Sequence, residues 1–219
     1  MRKTDDFLVE IGTEELPPKA LRTLMAAFGE NLARGFDDAR LDHGEVQVYA
    51  TPRRLSVIVG DLAHRQEDRK TEQKGPSVKV AFDATGKPTP AATAFAGKCG
   101  VAVSELGRRK SDKGEWLLYE ALEKGRPAAE LLPALIELSL AALPIPRRMR
   151  WGAGEVEFVR PIHWVVLLHG ENTIAGAVMG ITAGNQSRGH RVHSSGTITI
   201  TSPASYLETL EKKGHVIAD

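Results

Sequence analysis

The stretch Glu-Val-Glu-Phe-Val-Arg-Pro-Ile-His-Trp-Val-Val-Leu-Leu-His-Gly-Glu-Asn-Thr-Ile-Ala-Gly-Ala-Val-Met, residues 155–179, decides the fold class. Val156–Val159, Trp164–His169 and Thr173–Met179 each read as a strand, the last two linked by Gly170-Glu171-Asn172. The apolar run Trp164–Leu168 reads as a buried strand. Upstream, Phe7–Ile11 predicts a short strand. Pro17 and Pro18 suit the first turn of a helix, where a missing N–H costs little, and Leu21, Leu24, Met25, Phe28 and Leu32 follow at helical spacing. Glu45–Ala50 and Leu55–Gly60 are β-rich runs joined by Thr51-Pro52-Arg53-Arg54; they form either an antiparallel pair or one strand broken at Pro52.

Residues 64–76 are polar and lack apolar periodicity, which predicts a surface loop or disordered crossing. A short helix from Thr89-Pro90 to about Lys98 follows, then a hairpin of Leu106–Lys110 and Glu115–Leu122 around Ser111-Asp112-Lys113-Gly114. Arg126–Leu143 is the second strong helix, with Leu131, Leu135, Leu138 and Leu143 near one side. Thr197–Thr201 predicts a strand, and Pro203–Lys213 a helix capped by Ser202. Strands and helices mix without regular alternation. The expected class is therefore α+β, with mixed, largely antiparallel sheets and packed helices. A division at residues 1–62 and 63–219 is expected, unless the chain forms one continuous domain.

The 219 residues are 42% hydrophobic and 26% charged with a net charge of +1, a composition suited to globular folding rather than disorder. The single cysteine, Cys99, rules out an intrachain disulfide framework and suits a reducing compartment. Asp5 and Asp6 before a short apolar run do not resemble a secretory signal, and no segment approaches the apolar length that crosses a bilayer. A cytoplasmic protein is expected.

The overall charge balance hides a local excess. From Ile145 to His193 the formal charges are six arginines (Arg147, Arg148, Arg150, Arg160, Arg188 and Arg191) against Glu155, Glu157 and Glu171. Arginine is a planar, permanently charged fork suited to phosphate, so the cluster points to an anionic partner, RNA first. Such arginines also serve internal ion pairs, and for any single one that reading carries about even weight. Arg53 and Arg54 form a second, weaker pair, because a Pro-Arg-Arg turn also ties strands together. Trp151 and Trp164 have faces on which a base can stack, with core burial favoured for Trp164. His190 is expected as a hydrogen-bonding neighbour of these arginines. His163, His169, His190 and His193 suggest a metal only weakly, since positive neighbours oppose a cation.

No phosphate-cradling Gly-x-x-x-x-Gly-Lys-Ser/Thr loop occurs, and Gly152-Ala153-Gly154 lacks the third glycine of a dinucleotide fingerprint. Zinc signatures are missing too, and no catalytic residue is nominated. Glu14 and Glu15 are expected to cap the following helix rather than to act as acid and base.

Five segments together resemble one family. They are Phe-Leu-Val-Glu-Ile-Gly-Thr-Glu-Glu-Leu-Pro (7–17), Ala-Thr-Pro-Arg-Arg-Leu (50–55), Gly-Lys-Pro-Thr (86–89), Met-Arg-Trp-Gly with Phe-Val-Arg-Pro-Ile-His (149–163), and Arg-Gly-His-Arg (188–191). The family is the β subunit of bacterial heterotetrameric glycyl-tRNA synthetase, and the resemblance covers its amino-terminal part. Arg148 stands where the family pattern would have lysine, which keeps the charge and changes the donor geometry. The resemblance implies a longer protein, with Asp219 as a truncation point. It implies a domain similar to the tRNA-contacting B3/B4-type domain of phenylalanyl-tRNA synthetase. It also implies tRNA-Gly and an α subunit as partners. Glycine activation, ATP and Mg would belong to the α subunit, with no cofactor in this fragment. On this reading Arg147, Arg148, Arg150, Arg160, Arg188, His190 and Arg191, then Arg53 and Arg54, contact tRNA. The alternatives are a scaffold that docks the α subunit without touching RNA, and an editing hydrolase for which no water-activating group stands out.

Overall fold

The computed structural model describes residues 3–111, 114–152, 154–194 and 196–218. Its elements run β1 (Thr4–Thr13), α1 (Pro18–Asp38), β2 (Val46–Thr51), β3 (Arg54–Ala63), β4 (Arg69–Ser77), α2 (Val78–Ala81), α3 (Pro90–Cys99), β5 (Gly107–Ser111) and β6 (Gly114–Glu123). Then follow α4 (Ala128–Ala141), β7 (Met149–Arg150), β8 (Glu157–Phe158), β9 (Ile162–His169), β10 (Asn172–Thr173), β11 (Ala177–Val178), β12 (Ile181–Gly184), β13 (Gln186–Arg188), β14 (Thr197–Thr199) and α5 (Tyr206–Gly214). The class is α+β, and every strand pair is antiparallel except β12 on β9.

Two compact units divide the chain, residues 1–66 with 126–219, and residues 67–125. The first is discontinuous, so the expected boundary at 62/63 falls four residues short of the crossing, and the chain returns where no boundary was expected. The reason is local pairing. Gln66 N–H donates to Arg126 O at 3.0 Å and Ala128 N–H to His64 O at 2.8 Å, so the outgoing and incoming strands lie side by side.

In the larger unit a main sheet runs β11-β12-β9-β1-β3-β2, with β10 also on β9. Thr51 pairs with Arg54, so Pro52 and Arg53 form a two-residue turn, which settles the hairpin in favour of antiparallel pairing. Proline there fits a position that donates no ladder hydrogen bond. The helices α1 and α4 bury Leu24, Phe28, Leu32, Leu132 and Ile136 against Phe7, Val9, Ile11, Val165 and Leu167. The buried face of α4 is rotated from expectation: Leu132, Ile136 and Leu140 point inward, whereas Leu138 is 67% exposed. The opposite sheet face carries a smaller core of Leu8, Val166, Leu168, Ile198, Tyr206 and Leu210, under α5. With both faces covered, β1 and β9 read as continuous apolar runs.

Several shorter expectations shift. The run Thr173–Met179 splits into β10 and β11 around Gly176, where an added Cβ would lie 2.7 Å from Pro133 Cγ. Strand β8 pairs with β7. Helix α5 starts at Tyr206, and Ser202 heads the preceding turn by accepting from Ser205 N–H at 3.3 Å.

The smaller unit is a sheet in the order β4-β6-β5, packed with α2 and α3 around Ala81, Ala92, Ala96, Leu106 and Leu117. Strand β4 corrects the expected loop over residues 64–76. Its pairing with β6, from Arg69 opposite Glu123 to Ser77 opposite Trp116, supplies the order that local periodicity lacks. The β5–β6 hairpin forms as expected, with Asp112 and Lys113 of its turn outside the described residues.

Candidate nucleic-acid interface

The basic surface is built on a buried polar knot that sequence reading missed. Glu10 lies in the middle of β1 with no solvent exposure. Ser187 Oγ donates to its Oε1 at 2.6 Å, Arg54 Nη1 donates to Oε2 at 3.4 Å, and Trp164 Nε1 and the Tyr206 hydroxyl donate as well. One carboxylate thus ties β1, β3, β9, β13 and α5 together. Burial and the nearby Glu10 carboxylate raise the Tyr206 phenol well above its ordinary value, against an opposing effect of Arg54. The signal in the sequence was an acidic residue inside an otherwise apolar strand, Phe-Leu-Val-Glu-Ile, since a charge there must find partners.

Arg54 is 2% exposed, and its guanidinium serves internal acceptors: Thr51 Oγ1 at 3.2 Å, Glu10, Ser187 Oγ at 3.4 Å and the Arg188 carbonyl at 2.6 Å. This corrects its expected role as a phosphate contact. Arg54 instead fixes the end of β13, where Arg188 leads into Gly189, His190 and Arg191.

Trp164 is a second anchor. Its indole lies across Gly12, where an added Cβ would sit 1.9 Å from Cε2, so glycine is required there for close approach. The guanidiniums of Arg188, Arg54 and Arg53 lie 5.5, 5.9 and 6.0 Å from the ring centroid. Trp164 is 7% exposed, so it holds arginines in place rather than offering a face to a base. Trp151 is half-buried against the main core.

Glu14 and Glu15 do not cap α1, whose N-terminal end lacks a side-chain cap. Instead Glu14 meets His163 Nε2 at 2.9 Å and lies 3.9 Å from Arg53 Nη2. The Glu15 carbonyl accepts from Arg160 Nε at 3.0 Å.

The expected cations gather at two places in the larger unit. Arg147, Arg148 and Arg160 rim a groove of about 410 Å³ floored by Pro17, Leu24 and Ile145. Arg148 donates to the Ala141 carbonyl at the end of α4 at 2.6 Å, which holds the side chain without neutralising it. Arg150, on β7, faces Glu157 across the β7–β8 pair at 3.2 Å. The second place is a cavity of about 350 Å³ walled by Arg53, Arg54, Trp164, His190, Arg191 and His215. His190 N–H donates to Gly214 O at 2.7 Å and Ser194 Oγ to Lys213 O at 3.0 Å, which ties the Gly189–Ser194 segment to the end of α5. Val192 and His193 N–H both donate to His190 Nδ1, at 3.2 and 3.3 Å. That nitrogen therefore offers a lone pair, and the ring proton sits on Nε2. Among the described residues, Arg150 alone of the six arginines between 145 and 193 has a carboxylate partner.

Residues 7–219 match the family model described as "Glycyl-tRNA synthetase beta subunit". The chain is 50% identical over 216 residues to the glycine–tRNA ligase β subunit of Marinobacter nauticus, covering 99% of this chain and 31% of that protein. Similar relatives are the glycine–tRNA ligase β subunits of Yersinia pestis, 51% identical over 213 residues, and Edwardsiella ictaluri, 49% identical over 213 residues; each match covers 97% of this chain and 31% of the relative. The chain thus spans about a third of the length of the curated relatives it matches. It belongs to the glycyl-tRNA synthetase β subunit family.

Proposed function

We propose that this chain is a tRNA-gripping part of a glycine–tRNA ligase, which supplies binding energy and leaves bond-making to the α subunit, where ATP, Mg and glycine would meet. One observation carries the reading: among the described residues, Arg147, Arg148, Arg160, Arg188 and Arg191 face no carboxylate. Cations that do not serve internal ion pairs are available to phosphates. Arg53 and His190 join them at the cavity. No helix among the described residues is long and apolar enough to cross a membrane.

Filter binding of tRNA-Gly at several salt concentrations tests this. Each lost phosphate contact lowers the slope of log affinity against log salt by roughly 0.7–0.9. The triple change Arg147→Ala, Arg188→Ala, Arg191→Ala should weaken binding and flatten the slope by about 2. An unchanged slope and affinity would remove tRNA from the reading.

The groove rimmed by Arg147, Arg148 and Arg160 favours a second reading, because its floor of proline, leucine and isoleucine suits a protein segment. On that reading the chain docks the α subunit. Binding of the α subunit without any affinity for tRNA would select it.

A further inference from the structure

We infer that the cavity between the Pro52–Arg53 turn and the Gly189–Ser194 segment holds the terminal phosphomonoester of a nucleotide. Two segments bring donors to its wall. Arg53 stands on the turn with its side chain partly exposed. His190 carries its ring proton on Nε2 because Nδ1 accepts two backbone N–H groups. Arg191, on the same segment, adds a guanidinium with no ion-pair partner among the described residues.

The ligand's class follows from the charge on the wall: a phosphomonoester carries up to two negative charges on three terminal oxygens, which suits two guanidiniums and an imidazole N–H. The rest of the wall identifies what the phosphate is attached to. Pro52, Trp164, Val216 and Ile217 are apolar, and a volume of about 350 Å³ falls in the range of small-molecule pockets. That exceeds what an inorganic anion fills and suits a nucleoside. Glu15, also on the wall, is an acceptor for base or ribose donors.

Free mononucleotides and the 5′-phosphate end of an RNA share this chemistry. The inference rests on the reading of the surface arginines as phosphate contacts, but its test separates the two. The chain is titrated calorimetrically with AMP and with adenosine, and by filter binding with tRNA-Gly carrying either a 5′-phosphate or a 5′-hydroxyl. We expect AMP to bind at least tenfold tighter than adenosine, or the 5′-phosphorylated tRNA at least tenfold tighter than its dephosphorylated form. AMP discrimination alone assigns the cavity to free mononucleotides; discrimination in tRNA assigns it to the RNA end. Arg53→Gln, which removes the guanidinium, and Arg191→Ala should each abolish the discrimination while circular dichroism stays native. Equal binding within both pairs, or discrimination that survives both folded variants, overturns the proposal. If tRNA binds without regard to its 5′ end and AMP does not bind, this inference fails and the tRNA reading stands. If AMP binds and tRNA does not, the reverse holds.

Discussion

Replacing Glu10 with glutamine tests the architecture most severely, because that carboxylate has no solvent exposure and accepts from four side chains. The amide keeps the shape, removes the charge, and replaces one oxygen with an NH2 donor. Whichever oxygen is lost, a donor then faces a donor: Trp164 and Ser187 meet on Oε1, Arg54 and Tyr206 on Oε2. Arg54, 2% exposed, is left as an uncompensated buried cation. Removing one partner of a buried pair costs about 3–5 kcal/mol. For a domain of this size that corresponds to roughly 6–20 °C in Tm, at about 2–4 °C per kcal/mol. Tyr206→Phe removes a single hydrogen bond to a charged group and should cost less, about 1.5–3 kcal/mol. In the pair Glu10→Gln with Arg54→Met the second change should recover part of the loss, because the unpaired charge is gone. Urea unfolding followed by circular dichroism gives each value. A Glu10→Gln cost below about 1 kcal/mol, or a Tyr206→Phe cost exceeding it, would refute the argument that the buried charge organises these five elements.

Two further outcomes are expected in stability assays. Gly12→Ala places a methyl carbon 1.9–2.4 Å from three indole atoms of Trp164, so the ring must move, at a cost of about 1–3 kcal/mol in urea unfolding; an unaffected midpoint would show that the indole does not need that space. His169 should make the chain acid-sensitive: burial lowers its affinity for protons, against the hydrogen bond that Nε2 donates to Leu62 O at 2.9 Å, and His64, stacked at 4.2 Å, lowers it further. Below an ordinary value near 6.5 the unfolded chain then binds the extra proton first, so stability is complete above about pH 6.5 and falls as pH drops toward the folded-state value, and His169→Gln should flatten that part of the profile.

Much of the fold was legible because local rules and tertiary packing agree in the longer elements. The apolar spacing over Leu24, Phe28 and Leu32 marked the buried side of α1, and the run Trp164–Leu168 marked a central strand. Strand β4 was not legible, because Arg69-Lys70-Thr71-Glu72-Gln73-Lys74 has no apolar side and takes its order from β6. The rotated side of α4 escaped for a related reason. Leucine and isoleucine occupy six of its positions, so the sequence alone does not select which leucines face inward. At the site, residue type was readable and direction was not. Arg53 and Arg54 are adjacent in sequence and both border the cavity, yet Arg53 stays partly exposed and Arg54 reaches Glu10 in the core. That choice is made by strand alternation at the β2–β3 turn and by an acceptor 44 residues away.

The same distinction bears on what the basic surface can achieve. A count of arginines overstates grip where side chains serve the fold and understates it where the fold aims them. Arg54 adds nothing to outward charge, and Arg150 is offset by Glu157 at 3.2 Å. Arg148 and Arg160 are different: each donates to backbone carbonyls, which cost no charge and remove rotamer freedom before a ligand arrives. A side chain already ordered loses less entropy on binding, where an immobilised one otherwise costs about 0.5–1.5 kcal/mol. Arg188, laid over Trp164, is ordered in the same way by a ring that Gly12 admits to the sheet. On the proposed tRNA reading, the glycine, the tryptophan and the buried glutamate would therefore act on RNA binding indirectly. They convert flexible cations into fixed ones, so damage to the knot should weaken phosphate contacts that lie outside it.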